Sequence, residues 1–270
     1  MSNPYLPPEI LDCIVDLLHD DPDELKECCL TSKSWIPRIR KHLFTHVRFD
    51  TEADLESWKE TFPDPSTSPA HYAKSLRVDC LHVVTAADAG GWIRGFSRVV
   101  KLELNSHSAY AVESGISLVP FHGLSPAIKS LRIGFSALPP SMIFNLTLSF
   151  PLLEDLILIS GGTSTVDNGD GPDALSTTIQ PPNLPVFSGS LELPLVAKTI
   201  PIARLLISLT GGIHIRKLVL TWGHKEGFSL AMALVEGCSD TLESLHITRR
   251  RTGGHVHLTF IPTSMTHFRF

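Results

Sequence analysis

At 270 residues, 43% of them hydrophobic, the chain is long enough to bury a substantial core, and its formal charge of −5 offers no electrostatic footprint for a nucleic acid, whose phosphates need clustered Lys and Arg. No apolar run reads as a membrane span, because the stretch over positions 146–159 is interrupted by Glu154 and Asp155, and no basic segment followed by an apolar one reads as a secretory signal. Five cysteines without paired spacing, Cys13, Cys28, Cys29, Cys80 and Cys238, suit buried thiols in a reducing compartment, cytoplasmic or nuclear, better than a disulfide framework.

The first predicted helix starts at Leu6, Pro7, Pro8 and Glu9, since proline suits the first turn and a carboxylate there complements the positive end of the helix dipole. Ile10, Cys13, Ile14, Leu17 and Leu18 then recur at helical spacing as one broad apolar stripe, which stops at His19, Asp20 and Asp21. Asp21 is placed to cap a second helix, with Pro22 at its first position and Glu24 three residues after the cap for the reciprocal bond. That helix carries Leu25, Cys28 and Cys29. A third begins near Ser32 or Ser34 and presents Trp35, Ile36, Ile39, Leu43 and Phe44 before alternation sets in at Val47 and Phe49. A segment of about 45 residues is below the length at which a single-chain core usually suffices, so some of these side chains are expected to face another protein.

In order, the Leu6-Pro7 start with Glu9 and Ile10, the apolar run to Leu18, the acidic turn, Leu25 and the closing Trp35 resemble the F-box, the docking module of substrate receptors in cullin-RING ubiquitin ligases. The resemblance covers the first sixth of the chain. It implies a short three-helix module over 1–45 that lays Leu6, Pro7, Ile10, Ile14, Leu18, Leu25 and Trp35 against a Skp-family adaptor, with Cys13, Leu17 and Cys28 able to pack the module's own interior instead. Pro37 departs from that pattern: so soon after the tryptophan it forces the third helix to begin late.

Beyond position 45 the chain repeats. Short units with two alternating apolar residues begin at Val47, Leu76, Leu102, Leu131, Leu156, Leu191, Leu218, Leu245 and Phe268, at intervals of 29, 26, 29, 25, 35, 27, 27 and 23 residues. Most intervals fall in the leucine-rich-repeat range of roughly 20–29. Segments 53–62, 141–150, 202–209 and 228–238 between them have helix-like patterning. The expected class is an F-box followed by a leucine-rich-repeat-like solenoid over 46–270, an α/β repeat with irregular units, since no regular asparagine or cysteine follows the strands and Asn105 alone comes close. The long interval, poor in large apolar residues and rich in Gly and Pro, reads as a flexible surface insertion near 160–187, and 63–69 reads as turn chemistry.

Each unit's residue between its two apolar ones faces the other way, because side chains alternate along a strand. Arg77, Glu103, Arg132, Ile157, Glu192, Val219, His246 and Arg269 therefore form a row of mixed charge, the candidate surface for a target protein. Catalytic, metal and cofactor sites are not expected. His255 and His257 share one side of a strand but lack a third ligand; Gly161-Gly162 and Gly211-Gly212 suit turns rather than phosphate cradles; the run Arg249, Arg250, Arg251 reads as a solvated turn. Trp58 and Trp92 read as packing residues. The function expected is substrate recognition in an SCF-type ubiquitin ligase, with target and pathway unspecified; a protein-interaction scaffold without ligase role needs the same residues, and an unrecognised enzyme is the third alternative.

Overall fold

A computed structural model describes residues 7–84, 91–105, 118–134, 138–159, 188–196, 199–208, 214–223, 225–251 and 254–260. Helix α1 (Pro8–Leu17) starts where Pro7 holds extended backbone and Pro8 takes the first turn. Helix α2 (Pro22–Thr31) is capped by Asp21, whose carboxylate accepts from the Asp23 and Glu24 amides at 3.2 and 3.1 Å. Only half of the expected reciprocal box forms there, since among the described residues no return bond from the Glu24 side chain accompanies it. A 3-10 turn over Lys33–Trp35 leads into α3 (Ile36–Leu43), with Pro37 in its first turn, where its missing N–H breaks no helical bond. Val15, Leu25 and Ile39, each 1% exposed or less, make a small core of their own, and Leu18, Trp35 and Leu43 pack against it.

Among the described residues nine strands follow: β1 (His46–Phe49), β2 (Ser75–Val78), β3 (Lys101–Leu104), β4 (Ser130–Gly134), β5 (Asp155–Ile159), β6 (Ser190–Leu195), β7 (Lys217–Trp222), β8 (Ser244–Arg251) and β9 (Gly254–Phe260). They form one sheet in chain order, β1 to β8 mutually parallel and β9 antiparallel to β8. The register is set by the apolar pairs. Val47, Leu76, Leu102, Leu131, Leu156, Leu191, Leu218 and Leu245 line up strand after strand, and all are buried. A one-residue slip would turn that row to solvent, at a cost of about 1.5–3 kcal/mol for each large side chain exposed.

The connections carry the correction to the fold class. Helices α4 (Glu52–Thr61), α5 (Pro140–Leu148), α6 (Ile200–Ile207) and α7 (Lys225–Gly237) cross back between β1 and β2, β4 and β5, β6 and β7, and β7 and β8. Instead of a short three-helix F-box followed by a leucine-rich-repeat-like solenoid, the chain is an α/β fold, a parallel sheet with helical crossovers and seven α-helices among the described residues. Strand spacing could not separate the two classes, because stacked repeats and parallel crossovers both need a strand with two inward apolar residues every two or three dozen positions. The four helices begin one to three residues earlier than their apolar patterning marks, since caps and prolines set the starts: Thr51 and Asp54 form a complete capping box at α4, and Pro139-Pro140 open α5.

One further expectation changes. The Arg249–Arg251 run belongs to β8, which continues past the expected turn and pairs Arg249 with Val256 and Arg251 with Gly254 of β9. His255 and His257 lie at alternate positions of β9. The expected final unit at Phe268 and Phe270, with Arg269, lies outside the described residues, as does the segment 160–187. Across that long connection β6 still docks on β5: Asp155 Oδ1 accepts from the Ser190 amide at 3.0 Å and its hydroxyl at 2.7 Å. Gly189 permits the approach, because a Cβ there would stand 2.2 Å from the Glu154 carbonyl oxygen.

Candidate functional site

Two surfaces hold the expected site residues. The first is α1. Of the stripe read from sequence, Ile10, Cys13, Ile14 and Leu17 turn outward and only Leu18 packs on the small core, whose α1 member is Val15, a residue outside that stripe. Ile10 is 47% exposed, Ile14 38% and Leu17 81%; on α2 Leu30 is 88% exposed. Exposed leucines are individually ordinary, but three large apolar side chains at i, i+4 and i+7 on one helix form a ridge.

Of the expected adaptor residues, Ile10 and Ile14 lie on that ridge, with Pro7 exposed at its head. Leu18 and Trp35 are half-buried against the small core, and Leu25 is wholly interior, so Leu25 holds the module together rather than presenting itself. Leu6 lies outside the described residues. The sequence reading gave Leu17 lower odds than Ile10 and Ile14 and did not single out Leu30, which follows Cys28 and Cys29 on α2; both are largely exposed.

A partly exposed clamp ties α1 to α3. Asp16 accepts from Arg38 Nε at 2.7 Å, again from the Arg38 terminal nitrogen, and from His42 Nε2 at 2.7 Å, tying α1 to α3. Donation by Arg38 foremost, then by His42, holds the Asp16 carboxyl well below the usual carboxylate range.

The second surface is the front of the sheet, opposite the core. Arg77, Glu103, Arg132, Ile157, Glu192, Val219 and His246 are in strict cross-strand register there, and Arg48 of β1 heads the row. Its charged end is largely satisfied internally. Arg77 grips Asp79 with Nε at 2.9 and 3.0 Å and a terminal nitrogen at 2.8 Å, and Asn105 Nδ2 donates to the same carboxylate at 2.7 Å. Burial works to raise the Asp79 pKa, but the Arg77 and Asn105 donors outweigh it and leave the carboxyl below its ordinary value. Lys101 holds Glu103 at 2.8 Å. Arg132 is exposed and has no ion pair among the described residues; beyond it the row turns apolar at half-buried Ile157 and Val219. Asp79, the organising residue, was missed because it lies just past the repeated four-residue unit.

Among the described residues no three His, Cys, Asp or Glu side chains stand together as a metal site, and no helix is long and apolar enough to cross a membrane. Neither a protein-family model, nor a curated protein, nor a solved structure matches the chain.

Proposed function

We propose that the chain is the substrate-recognition subunit of an SCF-type ubiquitin ligase, seating a Skp-family adaptor on the outer ridge of α1 and offering the front of the sheet to a target protein. The supporting observation is the ridge itself. Helices α1 to α3 already have an interior in Val15, Leu25 and Ile39, so Ile10, Ile14 and Leu17 are surplus to it. A helix with such a face is suited to a groove on another protein, where each fully covered side chain contributes about 1.5–3 kcal/mol. Ubiquitin-transfer chemistry belongs to other subunits in this scheme. The chain contributes proximity, raising the effective concentration of target lysines near the charged conjugating enzyme.

The test is affinity capture of the full chain coexpressed with the adaptor. Wild type brings down adaptor, cullin and RING subunits at comparable stoichiometry, and Ile14→Asp combined with Leu17→Asp weakens adaptor capture by roughly thirtyfold or more, the scale of a buried anchor. Undiminished capture by the double variant defeats the proposal. Adaptor recovered without cullin and RING assigns the scaffold role instead.

A further inference from the structure

Strands β1 to β8 run parallel, and a parallel sheet is ordinarily covered on both faces, because helical crossovers bury each strand above and below. Here α4 to α7 put Leu55, Leu146, Leu206 and Leu234 into the same cluster as the inward strand leucines, so all four helices cover one face. The front changes character along its length. Over β1 to β3 it is ionic and largely satisfied by its own pairs, Arg77 with Asp79 and Lys101 with Glu103. Over β5 to β7 it is apolar: Ile157, Ile159, Pro194 and Val219 are half-buried there. Strand β5 in particular reads Leu156-Ile157-Leu158-Ile159, apolar on both faces, which is the pattern of a strand with neighbours on both.

Two charges frame the apolar patch. Arg132 of β4 and Glu192 of β6 are both exposed, and among the described residues neither has an ion pair. The acid beside Arg132 on β3, Glu103, is already held by Lys101 at 2.8 Å, with Arg77 at 3.9 Å. The register runs Arg132, Ile157, Glu192, Val219 across four adjacent strands, so the free cation and the free anion stand two strands apart with an isoleucine between them.

That spacing selects the occupant. Two strand separations amount to about 9.6 Å. Seven residues of α-helix advance about 10.5 Å and return to the same face, so a helix laid across the strands sets an acid over Arg132 and a base over Glu192 with one apolar turn between them. Same-face residues of an extended segment fall roughly 6.6 or 13 Å apart, and neither distance spans the pair.

We infer that the front of the sheet over β4 to β7 docks an amphipathic helix of a target protein, with an acid and a base seven positions apart and apolar side chains that cover Ile157, Ile159 and Val219. The inference deepens the proposed function and rests on its assignment of the front of the sheet to the target; it does not use the ridge of α1.

The probe is a capped, helix-forming peptide of about four turns that carries Glu and Lys seven positions apart on its leucine face; a companion has Gln at both positions. Each is titrated into the isotopically labelled full chain without adaptor. The charged peptide shifts the Ile157, Glu192 and Val219 amide resonances and binds roughly threefold to tenfold more tightly than its companion, and Arg132→Gln combined with Glu192→Gln erases that preference. Ile157→Thr keeps a β-branched residue on the strand and weakens both peptides about fivefold or more. Should Ile157→Thr fail to fold, Val219→Thr makes the same test. The inference is overturned if those resonances stay fixed at millimolar peptide, if both peptides bind alike, or if binding requires excision of positions 162–186, which would make the chain's own connection the occupant. Adaptor capture is read separately: a front that ignores the peptides while capture persists sinks this inference alone, and peptide binding without capture sinks the ligase reading alone.

Discussion

Arg38 holds Asp16 across 22 positions of sequence, Nε to Oδ1 at 2.7 Å, and His42, one helical turn further along α3, adds its ring nitrogen to the same oxygen at 2.7 Å. One carboxylate thus fixes the roll of α1 about its axis, and with it the direction of the apolar ridge. Because Arg38 and His42 keep the folded-state pKa of Asp16 below its unfolded value of about 4, the clamp's contribution is present above that value and is lost as pH falls toward the folded pKa. Acidification below about pH 4 is expected to lower the protection of α1 amides, measured relative to their intrinsic exchange rate at each pH, and Asp16→Asn to show that lower protection already at neutral pH. An unchanged exchange pattern in Asp16→Asn would remove the clamp's role.

Leu25 and Leu17 should behave oppositely. Leu25→Ala empties the centre of a three-residue core and is expected to destabilise the helical module by about 2–5 kcal/mol, because so small a core has little with which to refill the space. Leu17→Ala, at an 81% exposed position, should leave stability within about 0.5 kcal/mol. Chemical denaturation monitored by exchange within α1 and α2 distinguishes them, and under the proposed function only Leu17→Ala separates adaptor binding from folding.

The cysteines divide by burial. Desolvation pushes the Cys80 and Cys238 thiols up to about 11, so neither presents a thiolate at pH 8, while Cys13 sits exposed on the ridge. A thiol reagent at pH 8 is expected to modify Cys13 promptly and to reach Cys80 and Cys238 only on unfolding. If adaptor binding covers α1, it should also protect Cys13. Prompt labelling of Cys80 would contradict the packing of β2 on the sheet's core.

The strands were legible in the sequence because inward apolar residues two apart leave no choice of face, and a parallel sheet repeats that demand at every strand. Even the front row could be listed, since alternation alone places Arg77, Glu103 and Arg132 on one side. Its chemistry could not, because which carboxylate answers Arg77 depends on Asp79 lying under two strands at once.

For the opening helices, helical spacing by itself determined which residues are apolar neighbours, from Ile10 through Leu18, and that they exceed what so short a segment can bury. Only the tertiary structure decided that Ile10, Cys13, Ile14 and Leu17 of that stripe point outward and that Leu18, with Val15 beside it, points inward. Helical period sets relative angles around one axis, whereas the absolute rotation comes from contacts between helices, here the Asp16–Arg38 pair and the packing of Val15 on Leu25 and Ile39. In the same way the rhythm from Val47 to Leu245 determined the eight parallel strands and their inward faces, but not the antiparallel β9. Whether their connections were uniform repeat turns or helical crossovers was decided by how each intervening segment packs on the sheet, an energy carried by distant residues and absent from local spacing.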